Sequence, residues 1–350
     1  MGGRYRAAGG SVTSDLEAAL AGADAYRPAS PELKTPGVVA SAVSTNASTV
    51  VVTGALGGVG QWVVDRLAGD YDVVGLDQRP PPRGGPDGAS FFEVDLTDQG
   101  ETTELVTGAD PDAVVHLAAI PDPTSHAESR VFTNNTESAY NVLDAAGRAG
   151  ADIVWTSSES IYGFPFADEV LKPEYVPVDE EHPLRPADAY GVSKEVGEAV
   201  ARTIARKHGV SVVSIRPSWV QYPGEYLTEQ NRESLDVAEL AARSTDDPPD
   251  GGIGNFWSYI DVRDLASMIA AALDARVDGH EAYLCHAAEN YLGADTADLF
   301  DALFDEAPPC DTDGDASAFT TGKAERDLGW KPEHTWREAA DADVDGPDFA

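Results

Sequence analysis

The stretch "VVTGALGGVGQWVV", residues 51–64, sets Gly54, Gly57 and Gly60 between a run of valines and an amphipathic segment. Val50 to Val52 read as a buried strand, and the residues after Gly57 read as a helix packed against it. A strand that turns directly into a helix uses glycine for the tight turn, for close approach of backbone to a ligand, and for helix packing on the strand. The start of the helix then presents unpaired N–H groups and the positive end of the helix dipole. A bare apolar loop would also be glycine-rich, but the flanking strand and helix favour a cradle for a pyrophosphate.

The same alternation continues downstream. "YDVVGLD", "FFEVDL", "DAVVHLAA", "DIVWTSS" and "SVVSIRP" read as further strands, with helices expected over 131–149 and about 188–208. Short β-branched runs alternating with helices predict an α/β fold, a Rossmann-type doubly wound parallel sheet of six or seven strands, with residues 49–217 as a dinucleotide-binding domain. After Pro217 the regularity breaks into a short helix near 231–243, the strand-like "NFWSYIDV", a helix at 262–276, the strand "EAYLCHA" and a last helix near 296–304. Residues 218–335 are therefore expected to supply a small C-terminal substrate-binding cap and late sheet elements. The acidic stretch 336–350 is expected to fray.

Charge narrows the partners. The chain carries 61 Asp and Glu against 24 Lys and Arg, a net charge of −37, which repels nucleic acid and anionic membranes. Six of the basic residues are lysines, the composition of a surface hydrated in concentrated salt. Residues 1–48 stand apart: Arg4, Arg6, Arg27 and Lys34 balance Asp15, Glu17, Asp24 and Glu32, so this segment reads as a loose extension. With no run of eighteen apolar residues and no basic-then-apolar leader, a cytoplasmic protein is expected. Cys285 and Cys310 have neither a disulfide framework nor ligand spacing around them, and no metal site is expected.

Three groups of residues carry chemistry. Asp77 ends the second strand seventeen residues after Gly60, where a carboxylate accepts both ribose hydroxyls of an adenosine; that favours NAD, while nearby Arg79 keeps NADP possible. Asp95, after the third strand, is placed at the adenine edge or at a helix N-cap, and Leu96 beside it is placed with the cofactor. Tyr190 and Lys194 lie one helical turn apart on one face, so a cation beside a phenol favours phenolate and makes a base. Ser157 and Ser158 close a strand at the carboxyl edge of the sheet, where ligands of such folds bind.

With "TGALGGVG", Asp77, "DLTD", "HLAA", "NNTESAYNVLDAA", "SSESIYG", Tyr190 and Lys194, "IRP", "YIDVRDLA" and "KAERDLGWKP" in this order, the chain resembles the extended short-chain dehydrogenase/reductase family, also called the NAD-dependent epimerase/dehydratase family, over residues 49 to about 335. The resemblance implies that Tyr190 is the acid/base, that Lys194 lowers its pKa and binds the nicotinamide ribose, and that Ser158 orients the substrate oxygen. It implies a proton-relay role for Asn135, with Asn134 adjacent, and gives His116 no catalytic part. It also pairs the helices at 131–149 and 188–208 across a two-fold axis, so a homodimer is expected.

Within such a family the reaction turns on the fate of the ketone. Nucleotide-sugar members resembling this chain carry a longer insert, an Asn after the sixth strand and an Arg-x-Gly-Asp; here Trp219 stands in "RPSWVQYPGEY", about 36 residues separate Pro223 from Tyr259, and no Arg-x-Gly-Asp occurs. Dehydratases place Asp-Glu after the catalytic hydroxyl, where this chain has Glu159 and Ser160. An NAD(P)-dependent oxidation of a free sugar or polyol is favoured, with Glu159, Ser160, Trp219 and Gln221 as candidate sugar contacts beside Ser158; the alternative is a nucleotide-sugar epimerase, and a dehydratase is third.

Overall fold

In the computed structural model, residues 48–349 are described, apart from 80, 82–83, 236–239, 241–244 and 246–251. The expected N-terminal extension thus lies outside the described residues, Ser48 excepted.

Seven parallel strands form the sheet: β1 (Thr49–Thr53), β2 (Asp72–Asp77), β3 (Ala89–Glu93), β4 (Ala113–His116), β5 (Asp152–Thr156), β6 (Val212–Pro217) and, late in the chain, β9 (His280–Cys285). Their order is β3-β2-β1-β4-β5-β6-β9, so the winding reverses between β1 and β4. Ligands of doubly wound sheets bind outside the carboxyl ends of the strands at that reversal. A separate two-stranded parallel piece pairs β7 (Val220–Gln221) with β8 (Ile260–Asp261).

The helices are α1 (Gly58–Leu67), α2 (Gln99–Gly108), α3 (Glu128–Ala149), α4 (Ala189–His208), α5 (Thr228–Ser234), α6 (Val262–Asp274), α7 (Thr296–Leu303), α8 (Gly322–Leu328) and α9 (Trp336–Ala339). Successive strand side chains point to opposite faces, and β1 shows the result. Val50 and Val52 pack with Val63, Leu67, Leu265 and Ile269 of α1 and α6, whereas Val51 packs with Leu143, Ala146 and Ile204 of α3 and α4. A third core, in the cap, is aromatic: Tyr162, Phe164, Phe256, Trp257, Tyr259, Tyr291, Phe300 and Phe319 are all buried in it.

Three segments differ from the sequence reading. In "NFWSYIDV" only Ile260 and Asp261 are strand; Ile253–Asn255 is a 3₁₀ turn, and Phe256 and Trp257 follow in the left-handed region with φ of 50° and 57°. Such conformations cost about 1–3 kcal/mol each, offset here by burial of both rings. Phe256 lies 5.0 Å from both Phe164 and Phe300. The helix expected near 231–243 runs over Thr228–Ser234, and most of the remainder lies outside the described residues. The acidic C-terminal stretch is anchored rather than frayed: Phe349 is 6% exposed, with its ring 5.8 Å from Phe91.

Candidate active site

The glycine loop closes on itself. Gly54 has φ of 67°, its carbonyl accepts from Gly57 N–H at 3.0 Å, and a Cβ on Gly60 would fall 2.0 Å from that same carbonyl oxygen. Helix α1 has Gly57 as its N-cap, with no side-chain cap and no acidic residue in its first turn. Its N-terminal N–H groups are left for an anion. Asp77, at the end of β2, accepts from Leu56 N–H at 3.0 Å and is thereby held against the loop. These residues fit a dinucleotide: glycine where a side chain would block backbone approach, bare N–H groups for the pyrophosphate, a carboxylate for the ribose.

The neighbouring candidates fall differently. Asp95 is exposed and accepts from Thr97 N–H and Oγ1 at 3.0 and 2.7 Å, bonds that hold its carboxyl below the usual range. The cap of α2 is Asp98, not Asp95. Leu96 is buried, and its carbonyl accepts from Asn141 Nδ2 at 3.0 Å. His116 is buried against Thr53, Nδ1 to Oγ1 2.7 Å, and burial with the nearby Lys194 charge pushes it down to about 3. It is a neutral structural histidine.

Asp188 caps α4, accepting from the N–H groups of Tyr190 and Gly191 at 2.8 and 2.9 Å, and so fixes the first turn that carries the phenol. That turn packs on the 3₁₀ segment Glu159–Tyr162, which starts from Ser158. The Ser158 hydroxyl reaches Tyr190 and stands 3.1 Å from Ser160 Oγ. Lys194 Nζ donates to Thr156 O at 2.7 Å and lies 5.3 Å from the centroid of the Tyr190 ring. Hydroxyl, phenol and amine therefore converge at the ends of β4 and β5.

Burial dominates the electrostatics of this pair. It raises the Tyr190 phenol to about 12, with Ser158 pulling it down and Asp188 and Glu159 pushing it up. Burial also brings Lys194 itself down to about 7. Desolvation outweighs the attraction because both groups are buried and the Lys194 hydrogen bond goes to a carbonyl rather than to the phenol.

Asn135 is buried, and its amide brackets the Ile120 backbone, accepting from N–H at 2.8 Å and donating to O at 3.0 Å. A weaker contact reaches Ser193 Oγ at 3.4 Å. Ser157 turns away from Ser158 and donates to Glu198 Oε1 at 2.9 Å; Glu198 in turn is gripped by Arg216 through Nε and Nη2, both at 2.8 Å.

A cavity of about 570 Å³ runs from Gly54, Gly57 and Gly60 past Ser158, Tyr190 and Lys194 to Glu159, Ser160, Trp219 and Asn255. Trp219 packs edge-on to Tyr291, centroids 6.5 Å apart. Gln221, expected at the substrate, is 1% exposed and instead braces backbone: its Oε1 accepts from Leu227 and Thr228 N–H, and its Nε2 donates to Val220 O. Sequence reading missed Ser218 after β6, Asn255 at the end of the 253–255 turn and His286 after β9. No motif marks them; sheet order brings Ser218 and His286 beside Glu159, and Asn255 lines the same cavity.

The chain belongs to the NAD dependent epimerase/dehydratase family, which it matches over residues 50–285. It is similar to the L-arabinose 1-dehydrogenase (NAD(P)(+)) of Haloferax volcanii, 35% identical over 200 residues, covering 55% of this chain and 74% of that protein. It is also similar to the uronate dehydrogenase of Pseudomonas putida, 32% identical over 176 residues, 49% of this chain and 61% of that one. Among solved structures, a short-chain dehydrogenase/reductase superfamily protein from Agrobacterium tumefaciens with bound NAD superposes with a TM-score of 0.61 at 27% identity, covering 83% of this chain and 94% of that one. Among the described residues no helix is long and apolar enough to cross a membrane.

Proposed function

We propose that the protein is an NAD(P)-dependent sugar dehydrogenase with NAD as the preferred cofactor. The observation that carries this reading is the convergence of Ser158, Tyr190 and Lys194 in one cavity with the glycine cradle. The similarity to an arabinose dehydrogenase and a uronate dehydrogenase supports it, and Asp77 at the end of β2 favours the cofactor without a 2′-phosphate.

The residues divide the work as follows. Ser158 hydrogen-bonds the substrate carbinol oxygen and orients it toward the phenol. Tyr190, ionised, takes the hydroxyl proton as the carbinol carbon gives up its hydride, and as the neutral phenol it returns that proton in the reverse direction. Lys194, held by Thr156 O, would bind the nicotinamide ribose and, when protonated, oppose the charge developing on the phenolate. Asn135 fixes the Ile120 segment beside them. When bound, the nicotinamide supplies the hydride acceptor.

The test incubates the pure protein with NAD⁺ or NADP⁺ and a panel of pentoses, hexoses and uronic acids, following reduced nicotinamide. Net accumulation supports a dehydrogenase. Interconversion of UDP-sugars with no accumulation would sink the reading in favour of an epimerase.

Two further features belong to this reading. Phe132 and Tyr140 of α3 and Val196 of α4 are 37%, 45% and 37% exposed on the outer faces of two packed helices. An apolar face of that kind supports a homodimer built on α3 and α4, and sedimentation of the wild type against Tyr140→Glu checks it. The acidic, lysine-poor composition supports a protein adapted to concentrated salt.

A further inference from the structure

Glu159 follows β5, Ser218 follows β6 and His286 follows β9, and these three strands are neighbours in the sheet. Their ends meet in one buried polar cluster. Glu159, Ser218 and Asn255 line the cavity, while His286 sits directly behind Glu159, fully buried, its ring stacked on Phe319 with centroids 4.3 Å apart. His286 Nδ1 lies 3.9 Å from Glu159 Oε2, beyond hydrogen-bond reach. Neither His286 nitrogen has a hydrogen-bond partner, and neither do Glu159 Oε2, Ser218 Oγ and Asn255 Oδ1. Buried polar atoms are nearly always paired, so unpaired ones on residues that line the cavity mark a place where a polar ligand completes the set.

Burial also disfavours charge in the cluster. It lifts Glu159 well above the usual carboxylate range and pushes His286 down to about 3. A protonated carboxyl offers one donor and one acceptor, and a neutral imidazole does the same. Among the described residues lining the cavity the one cationic side chain is Lys194, already bound to Thr156 O. A carboxylate or phosphate brought here would lose its water and find no second cation among those lining residues.

We propose that Glu159, Ser218, Asn255 and His286 form a charge-free recognition site for sugar hydroxyls, which selects an uncharged monosaccharide over the corresponding sugar acid, sugar phosphate or nucleotide sugar. Glu159, Ser218 and Asn255 contact the sugar; His286 is a positioning residue acting through Glu159. The proposal rests on the dehydrogenase reading and adds the substrate class.

The experiment measures reduced nicotinamide formation by the wild type with a neutral aldose, the matching uronic acid, the matching 6-phosphate and the UDP-sugar. The neutral aldose should exceed each anionic counterpart roughly 100-fold in kcat/KM. A uronate or phosphate that matches or beats the aldose overturns this proposal and leaves the dehydrogenase intact, whereas no reduction with any compound overturns both. Glu159→Ala should raise KM for the aldose about tenfold with little change in kcat or in dinucleotide Kd, and Glu159→Gln, which keeps a neutral donor and acceptor, should recover most of that loss. His286→Phe should raise KM in the same way. Equal losses in Glu159→Ala and Glu159→Gln mean that the carboxyl works ionised, and overturn the proposal.

Discussion

The two ends of the cavity are built by opposite rules. At the cofactor end the polar side chains are satisfied by the protein: Asp77 by Leu56 N–H, Thr53 by His116, Asn141 by Leu96 O, Asn135 by the Ile120 backbone. What remains open there is backbone, at glycines and at the start of α1. At the substrate end the reverse holds, since backbone is closed into turns and buried side-chain atoms of Glu159, Asn255 and His286 stand open. A ligand common to many enzymes is held by peptide groups that any sequence can present, and a ligand peculiar to one enzyme is held by chosen side chains.

That contrast can be broken by substitution. Tyr190→Phe removes one oxygen shared by both ends and should lower kcat by about 10³-fold or more while dinucleotide Kd stays within about threefold; turnover retained within tenfold would remove Tyr190 from the chemistry. Gly60→Ala puts a methyl carbon 2.0 Å from Gly54 O, so dinucleotide Kd, measured by fluorescence titration, should rise at least about tenfold, with KM for the sugar moved only through cofactor occupancy. An unchanged Kd would mean that the loop relaxes and does not set the cradle.

The smallest effect concerns Lys194 in the cofactor-free protein. Its pKa is about 7 folded against 10.5 for the free side chain, so between those values the unfolded chain holds more protons. Stability therefore rises with pH from about 7 to 10.5, by at most about 1.4 kcal/mol per unit from this group. Tyr190 acts with the opposite sign, and only above pH 10, where the unfolded phenol ionises and the folded one does not. The melting temperature should climb between pH 7 and 10 in the wild type and flatten in Lys194→Met; parallel profiles would show that the amine is charged in the fold.

The same contrast decides what could be read from the sequence. The cradle is local: strand, glycines and helix follow one another within residues 50–67, so their spacing carries the geometry. Tyr190 and Lys194 share one helix and were equally legible. Ser157 and Ser158 are told apart in the sequence by the family resemblance alone, and the fold supplies the physical difference, since Ser157 turns to Glu198. The aromatic run at 255–259 has strand composition, but the cap core claims its rings and bends the chain. His286 reaches Glu159 from more than 120 positions away through strand order alone, Asn255 joins the same cavity from a turn of the cap, and no spacing rule spans such distances.

Glu198 sets how the phenol is aimed. Tyr190, Lys194 and Glu198 stand four residues apart on α4, a row that drifts by only about 40° per step; Lys194 bonds the end of β5, and Glu198 bonds Ser157 and Arg216 of β6. With Arg216 clamping Glu198 by two bonds two turns below the phenol, the helix cannot roll about its own axis without breaking a buried ion pair. The catalytic oxygen is thus aimed in the manner of a key in a keyway, from the far end of a rigid shaft, and the cap loops are left to vary in shape without disturbing its direction.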